Sequence, residues 1–229
     1  MTEVADSWGF SSQDPPRSEL ALFERDVLRF DATRFDEKRL DHAIDDESGA
    51  AVGSAREEPK VRRWARVPGI HTPETRLGIY DATGAKVLDL RRPKWPPRQP
   101  VEVTDAVGTR VGWIARIGRR RFQLRDAVGR PVGTVSRLAR MYGVDFRIDD
   151  AYTLPLARIV DPERLAFEAE PPRSRGPLSH WLKRLDLTSE PRSHLLLIDG
   201  YPDLGVRKLL VAAAASVYLI LQSPDTSGD

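Results

Sequence analysis

The chain contains no cysteine. That absence removes disulfides, thiolate metal sites, cysteine catalysis and S-palmitoylation together. Histidine is scarce: there are four, His42, His71, His180 and His194. They fall in no His-x-x-x-His or similar metal spacing, and none stands in a recognised nucleophile context. No P-loop and no dinucleotide-binding fingerprint occurs. Neither an enzymatic activity nor a cofactor is therefore expected. The opening segment MTEVADSWGF lacks the basic and apolar regions of a signal peptide, so the expected location is the cytoplasm. Aromatic residues are few, at 7%. They do not interleave with the arginines as a base-stacking platform requires, which argues against a nucleic-acid partner.

What is present is 40% apolar sequence over 229 residues, enough for a core. The net charge of +2 conceals an asymmetry. The first sixty residues are acid-rich, with Asp41, Asp45, Asp46, Glu47, Glu57 and Glu58, whereas 91–147 is dominated by arginine. A basic surface facing an anionic partner is the physical reading of such a split.

One stretch organises the rest. From Leu209 to Leu221, inside Leu204–Gln222, the sequence is apolar on every side, interrupted only by Ser216 and the Tyr218 hydroxyl. A helix apolar all round must be buried, in protein or in lipid. A run of this length is shorter than the roughly 20 residues a membrane span needs, which favours a protein core.

A repeat supplies the shell. Residues 44–53, 79–88, 103–112 and 124–133 share the skeleton apolar-x-Asp-x-x-Gly-x-x-apolar, and 148–157 is a fifth copy without the glycine. Asp can bond the backbone two residues on and Gly supplies positive φ, so each copy predicts a β-hairpin. The five aspartates are thereby read as turn residues rather than a metal or acid-base array. Five hairpins and a last pair from Arg164–Glu168 and His194–Ile198 give about a dozen antiparallel strands. The fold class expected is mainly β: a closed antiparallel barrel of about twelve strands enclosing the hydrophobic C-terminal helix. Closure removes exposed sheet edges, and a barrel this wide needs a filler. The corresponding domain plan is a disordered arm over 1–18, a barrel domain over 19–222 with its central helix at 204–222, and a loose tail over 223–229.

The segments Arg76–Gly84 running on to Leu90-Arg91-Arg92-Pro93, Gly108–Ile114, Val144–Ile148 and Tyr201–Lys208 occur in an order that resembles the tubby C-terminal-like superfamily. The likeness is to its phospholipid scramblase and LURP-one-related branch, as a bacterial-type member, and it spans about Leu20 to Gln222. It implies the same twelve-stranded barrel around a hydrophobic helix, and binding of phosphoinositide headgroups by basic residues. Scramblase-like members also carry an acylated cysteine cluster and an acidic calcium segment. Lys94–Arg98 offers nothing to acylate. Asp199 and Asp203 remain as acids, but Gly205 stands where the family has another, so no metal site is expected although these two are its candidate remnant.

Two cationic clusters are the candidate lipid-binding residues: Arg116, Arg119, Arg120 and Arg121, and Arg91, Arg92, Lys94 and Arg98 with Trp95, an amphipathic ring suited to the headgroup level. The function expected is reversible peripheral binding of anionic membrane lipid, at the inner face of the membrane. The alternative is a protein-interaction scaffold acting through the acidic N-terminal segment and the 170–192 insert. A third reading is a scramblase with the helix in lipid.

Overall fold

The computed structural model describes residues 17–36, 39–58, 75–92, 99–118, 120–138, 144–162, 165 and 193–217. A short helix, α1 (Arg17–Glu24), precedes β1 (Val27–Asp36), β2 (Arg39–Asp46), β3 (Ala51–Glu57), β4 (Thr75–Asp81), β5 (Lys86–Arg92) and β6 (Val101–Asp105). Then follow β7 (Arg110–Gly118), β8 (Arg121–Asp126), β9 (Pro131–Arg137), β10 (Asp145–Asp150), β11 (Pro155–Val160), β12 (Ser193–Ile198) and the helix α2 (Leu204–Ala215).

Each strand pairs antiparallel with its neighbour in sequence, and β1 pairs with β12 to close a twelve-stranded barrel. The expected barrel fold is the one observed. The partner of β12 differs from the expectation: β1 closes the sheet, while Arg164–Glu168 lies outside the described residues apart from Leu165. So does the 170–192 insert. Residues 1–16 and 218–229 lie outside them as well, and α2 accounts for 204–215 of the predicted helix.

The hairpins form as their sequences dictate. Asp46 Oδ1 accepts from the backbone amides of Ser48 and Ala50, and Asp81, Asp105, Asp126 and Asp150 repeat the pattern two and four residues on. The Ser48 hydroxyl also donates to Asp46 and is the largest cause holding that carboxyl below its ordinary pKa. Four turns place their glycine at positive φ. In the fifth, Thr153 occupies the same conformation at φ 68°. The strand opening each hairpin is even-numbered, so all five Asp turns gather at one end of the barrel, the turn end. The connections leaving the odd-numbered strands gather at the other, the loop end.

Strand alternation lines the bore with Leu, Ile, Val and Phe. Into it runs α2, capped by Asp203, whose carboxylate accepts from the Val206 amide at 2.9 Å. It enters at the turn end and buries every residue from Leu209 to Val217. Burial of each large side chain there contributes about 1.5–3 kcal/mol. Four consecutive alanines, Ala212–Ala215, keep the helix narrow where the wall carries bulky residues. Gly112 on β7 leaves no room for a side chain: an added Cβ would lie 2.0 Å from the Arg125 carbonyl oxygen on β8 and 3.2 Å from Leu209 on α2. The turn end is partly plugged by α1, which packs on β3, β4 and α2 with Leu22 and Phe23 buried.

Candidate functional site

Among the described residues the two arginine clusters, separate in sequence, are linked through one pair: Arg92 lies near enough to Arg116 to feel its charge. Cluster one is the β7–β8 connection and cluster two the β5–β6 connection, and both belong to the loop end. Period-two alternation sorts their side chains. Leu88 and Leu90 face the bore, so Arg92 continues their row, and Arg116 continues that of Gly112 and Ile114. The Arg116 guanidinium lies 5.9 Å from the centroid of buried Phe122, and its Nε donates to the Gly118 carbonyl at 3.2 Å. Arg120 is exposed in the turn, where its carbonyl accepts from the Arg137 amide at 3.0 Å.

Arg137 was not among the sequence candidates. It lies two residues beyond Val135 on β9, in the inward-facing row. Continuing that alternation to the strand end is the signal that finds it. Its Nε is buried without a hydrogen-bond partner. Burial and then the charge of Arg116 push the Arg92 pKa below the ordinary arginine value; burial and then Arg120 do the same to Arg137. Arg92 thus feels the charge of Arg116 at the loop end, and Arg137 that of Arg120, with Arg92 and Arg137 partly desolvated and Arg120 exposed; these two pairs make up the arginine mouth.

Of the other described candidates, Arg91 and Arg121 stand apart from this mouth. Arg91 turns outward and pairs with Asp89 at 2.8 Å. Arg121 is exposed, as expected from the inward placement of Phe122 and Leu124. Arg119, Lys94, Trp95 and Arg98 lie outside the described residues. Asp199 is exposed beside Gly200, which has φ 72°, and Asp203 is the helix cap. Among the described residues no group of three or more His, Asp or Glu could hold a metal ion. Nor is any described helix long and apolar enough to cross a membrane.

Opposite the arginines the same half of the bore carries a second polar group. His42 on β2 and His194 on β12 are both buried, with ring centroids 5.8 Å apart in an edge-on arrangement. Phe30, on β1 between them, stacks on His194 at 4.9 Å. His194 Nε2 lies 2.9 Å from the Ala214 carbonyl oxygen. A carbonyl can only accept, so His194 carries its proton on Nε2. Burial lowers the His42 pKa to about 4 against the raising effect of Asp41 and Asp31; burial and then His42 lower that of His194 to about 3. Both rings are packed and neutral near pH 7, which suits a structural part. His71 and His180 lie outside the described residues.

No protein-family model matches the chain, and no curated protein sequence matches it. Among solved structures it is similar to the X-ray structure of a protein from Arabidopsis thaliana, at 12% identity and a TM-score of 0.47, over 84% of this chain and 91% of that one.

Proposed function

We propose that this barrel is a peripheral binder of anionic phospholipid headgroups, engaging them with the arginine mouth at its loop end, as the tubby-like and scramblase-related resemblance also implies. The observation that carries the reading is the placement of Arg92 near Arg116, and of Arg120 near Arg137, at the same end of the barrel. Like charges held near one another favour a bound anion, and phosphate is the anion that a phospholipid headgroup offers. Guanidinium suits the task because its planar fork matches phosphate oxygens in pairs. Each cation near an anionic bilayer contributes about 1 kcal/mol, so four contribute roughly a thousandfold in affinity at low salt. Such binding is reversible and screened by salt.

The test is co-sedimentation with anionic and with neutral vesicles at low and high salt. An Arg92→Gln/Arg116→Gln/Arg120→Gln/Arg137→Gln variant runs beside the wild type, with circular dichroism as the fold control. Stronger binding to anionic than to neutral vesicles, with the excess weakened by salt and lost in the folded variant, supports the reading. Undiminished binding by that variant overturns it.

A further inference from the structure

The turn end carries a different surface. Four neighbouring connections, β6–β7, β8–β9, β10–β11 and β12–α2, each project a large apolar or aromatic residue: Val107, Val128, Tyr152 and Tyr201, which are 84%, 74%, 83% and 98% exposed. Leu154 and Leu204 lie beside the last two and are also exposed. The remaining two hairpins place Ser48 and Thr83 at the same position, preceded by Glu47 and Ala82, and that side of the rim is where α1 packs. Apolar tips are thus confined to one continuous arc.

From this arc we infer that the turn end is a second, salt-resistant docking surface whose occupant is the interfacial layer of a lipid bilayer. The spacing selects it. Neighbouring tips are two strands apart, about 10 Å, so each stands alone. A protein interface requires a contiguous, fully desolvated core of apolar contacts; a fluid bilayer accepts isolated tips. The chemistry agrees, because tyrosine is at home at the headgroup boundary.

Charge agrees as well. The carboxylates of Asp105, Asp126 and Asp150 are turned onto their own turn amides, and Asp203 caps α2. The exposed charged side chains flanking the hairpin tips are Arg110, paired with Glu102, Arg125, which donates to the Gly129 carbonyl, and Arg130, paired with Asp126; Asp199 and Asp203 are exposed acids of this arc. The same Asp bonds fix the tips in place before contact, so insertion orders little chain. This surface faces away from the arginine mouth, at the opposite end of the barrel, so the two binding events are separable.

Single-site labelling tests it, because the chain has no cysteine of its own. Val107→Cys, Val128→Cys, Tyr152→Cys and Tyr201→Cys, each carrying a polarity-sensitive dye, are titrated with phosphatidylcholine vesicles at about 1 M salt, where the Debye length is about 3 Å. Glu47→Cys and Ala82→Cys are the controls on the same rim. The expected result is a blue shift at the four tips and none at the controls. With it comes a tenfold or greater loss of salt-resistant sedimentation in Val107→Ser/Val128→Ser/Tyr152→Ser/Tyr201→Ser. The arginine-mouth variant retains that sedimentation, which distinguishes failure of this surface from failure of the headgroup reading. Absence of a shift, equal shifts at all six sites, or a shift without vesicles accompanied by a doubled mass overturns the inference, the last in favour of a second copy of the chain.

Discussion

His194 on the last strand donates its Nε2 proton to the Ala214 carbonyl of the central helix at 2.9 Å. This is a side-chain tie between wall and filler, made inside the bore. The ring is held by Phe30 on one face and His42 at its edge.

Burial of the two histidines makes stability depend on pH. In the unfolded chain both histidines take up protons near 6.5, whereas in the fold His42 resists to about 4 and His194 to about 3. Below pH 6.5 the unfolded state binds more protons, so stability is complete above 6.5 and falls as the pH drops toward 4. For His42 alone the loss is about 3 kcal/mol across that window. Urea melts at pH 7.5, 6, 5 and 4.5 measure it. A His42→Phe variant should give a flatter profile, and equal slopes for the two proteins would contradict this account.

Arg207 ties the helix to the turn end. Its guanidinium donates to the Asp26 carboxylate at 2.7 Å and to the carbonyls of Phe23 and Arg25 at 3.1 and 3.3 Å. Arg207→Ala should destabilise by about 2 kcal/mol, since it leaves these acceptors without their donor. Arg207→Lys should recover less than half, because an ammonium lacks the fork that reaches several acceptors together. Full recovery by lysine, read by denaturant midpoint, would show that charge alone suffices.

Thr153 adopts the left-handed conformation that glycine takes in the other four Asp turns. A non-glycine residue there costs about 1–2 kcal/mol, and glycine adds unfolded-state entropy that recovers part of it. Thr153→Gly should therefore stabilise the protein by about 0.5–1 kcal/mol. An unchanged or lower melting temperature would mean the threonine side chain compensates locally.

Ala214 lies fully buried on the central helix. Ala214→Asp places an unpaired carboxylate in the bore at a cost of several kcal/mol, comparable with the whole margin of an ordinary domain. The variant should be unfolded or have no cooperative melt at neutral pH. A native melting temperature would be incompatible with a helix inside the barrel.

The hairpins were legible because Asp-x-x-Gly is local chemistry: the carboxylate, its two amides and the glycine all lie within five residues. The buried helix was legible from the absence of any polar face. Three features were not. Strand β1 carries no turn motif of its own, so closure between it and β12 left no local signal. The His42–His194 pair is assembled by that same closure. The placement of Arg92 near Arg116, and of Arg120 near Arg137, depends on which end of the sheet each connection occupies. Strand parity encodes this, but single clusters do not. Arg137 escaped for a related reason, being a lone arginine whose meaning comes only from its neighbours across the mouth.

The order of elements has a consequence for biosynthesis. β1 waits for β12, its closing neighbour, and the bore waits for α2, and both follow the other eleven strands in the chain. A ribosome therefore extrudes a long, one-sided, greasy sheet with an unpaired strand at each margin before the segment that covers it emerges. Local hairpins can form early, yet the shielding of their apolar side is a late event. The nascent sheet is the stage at which chaperone capture, or aggregation through its two open margins, competes with completion of the fold.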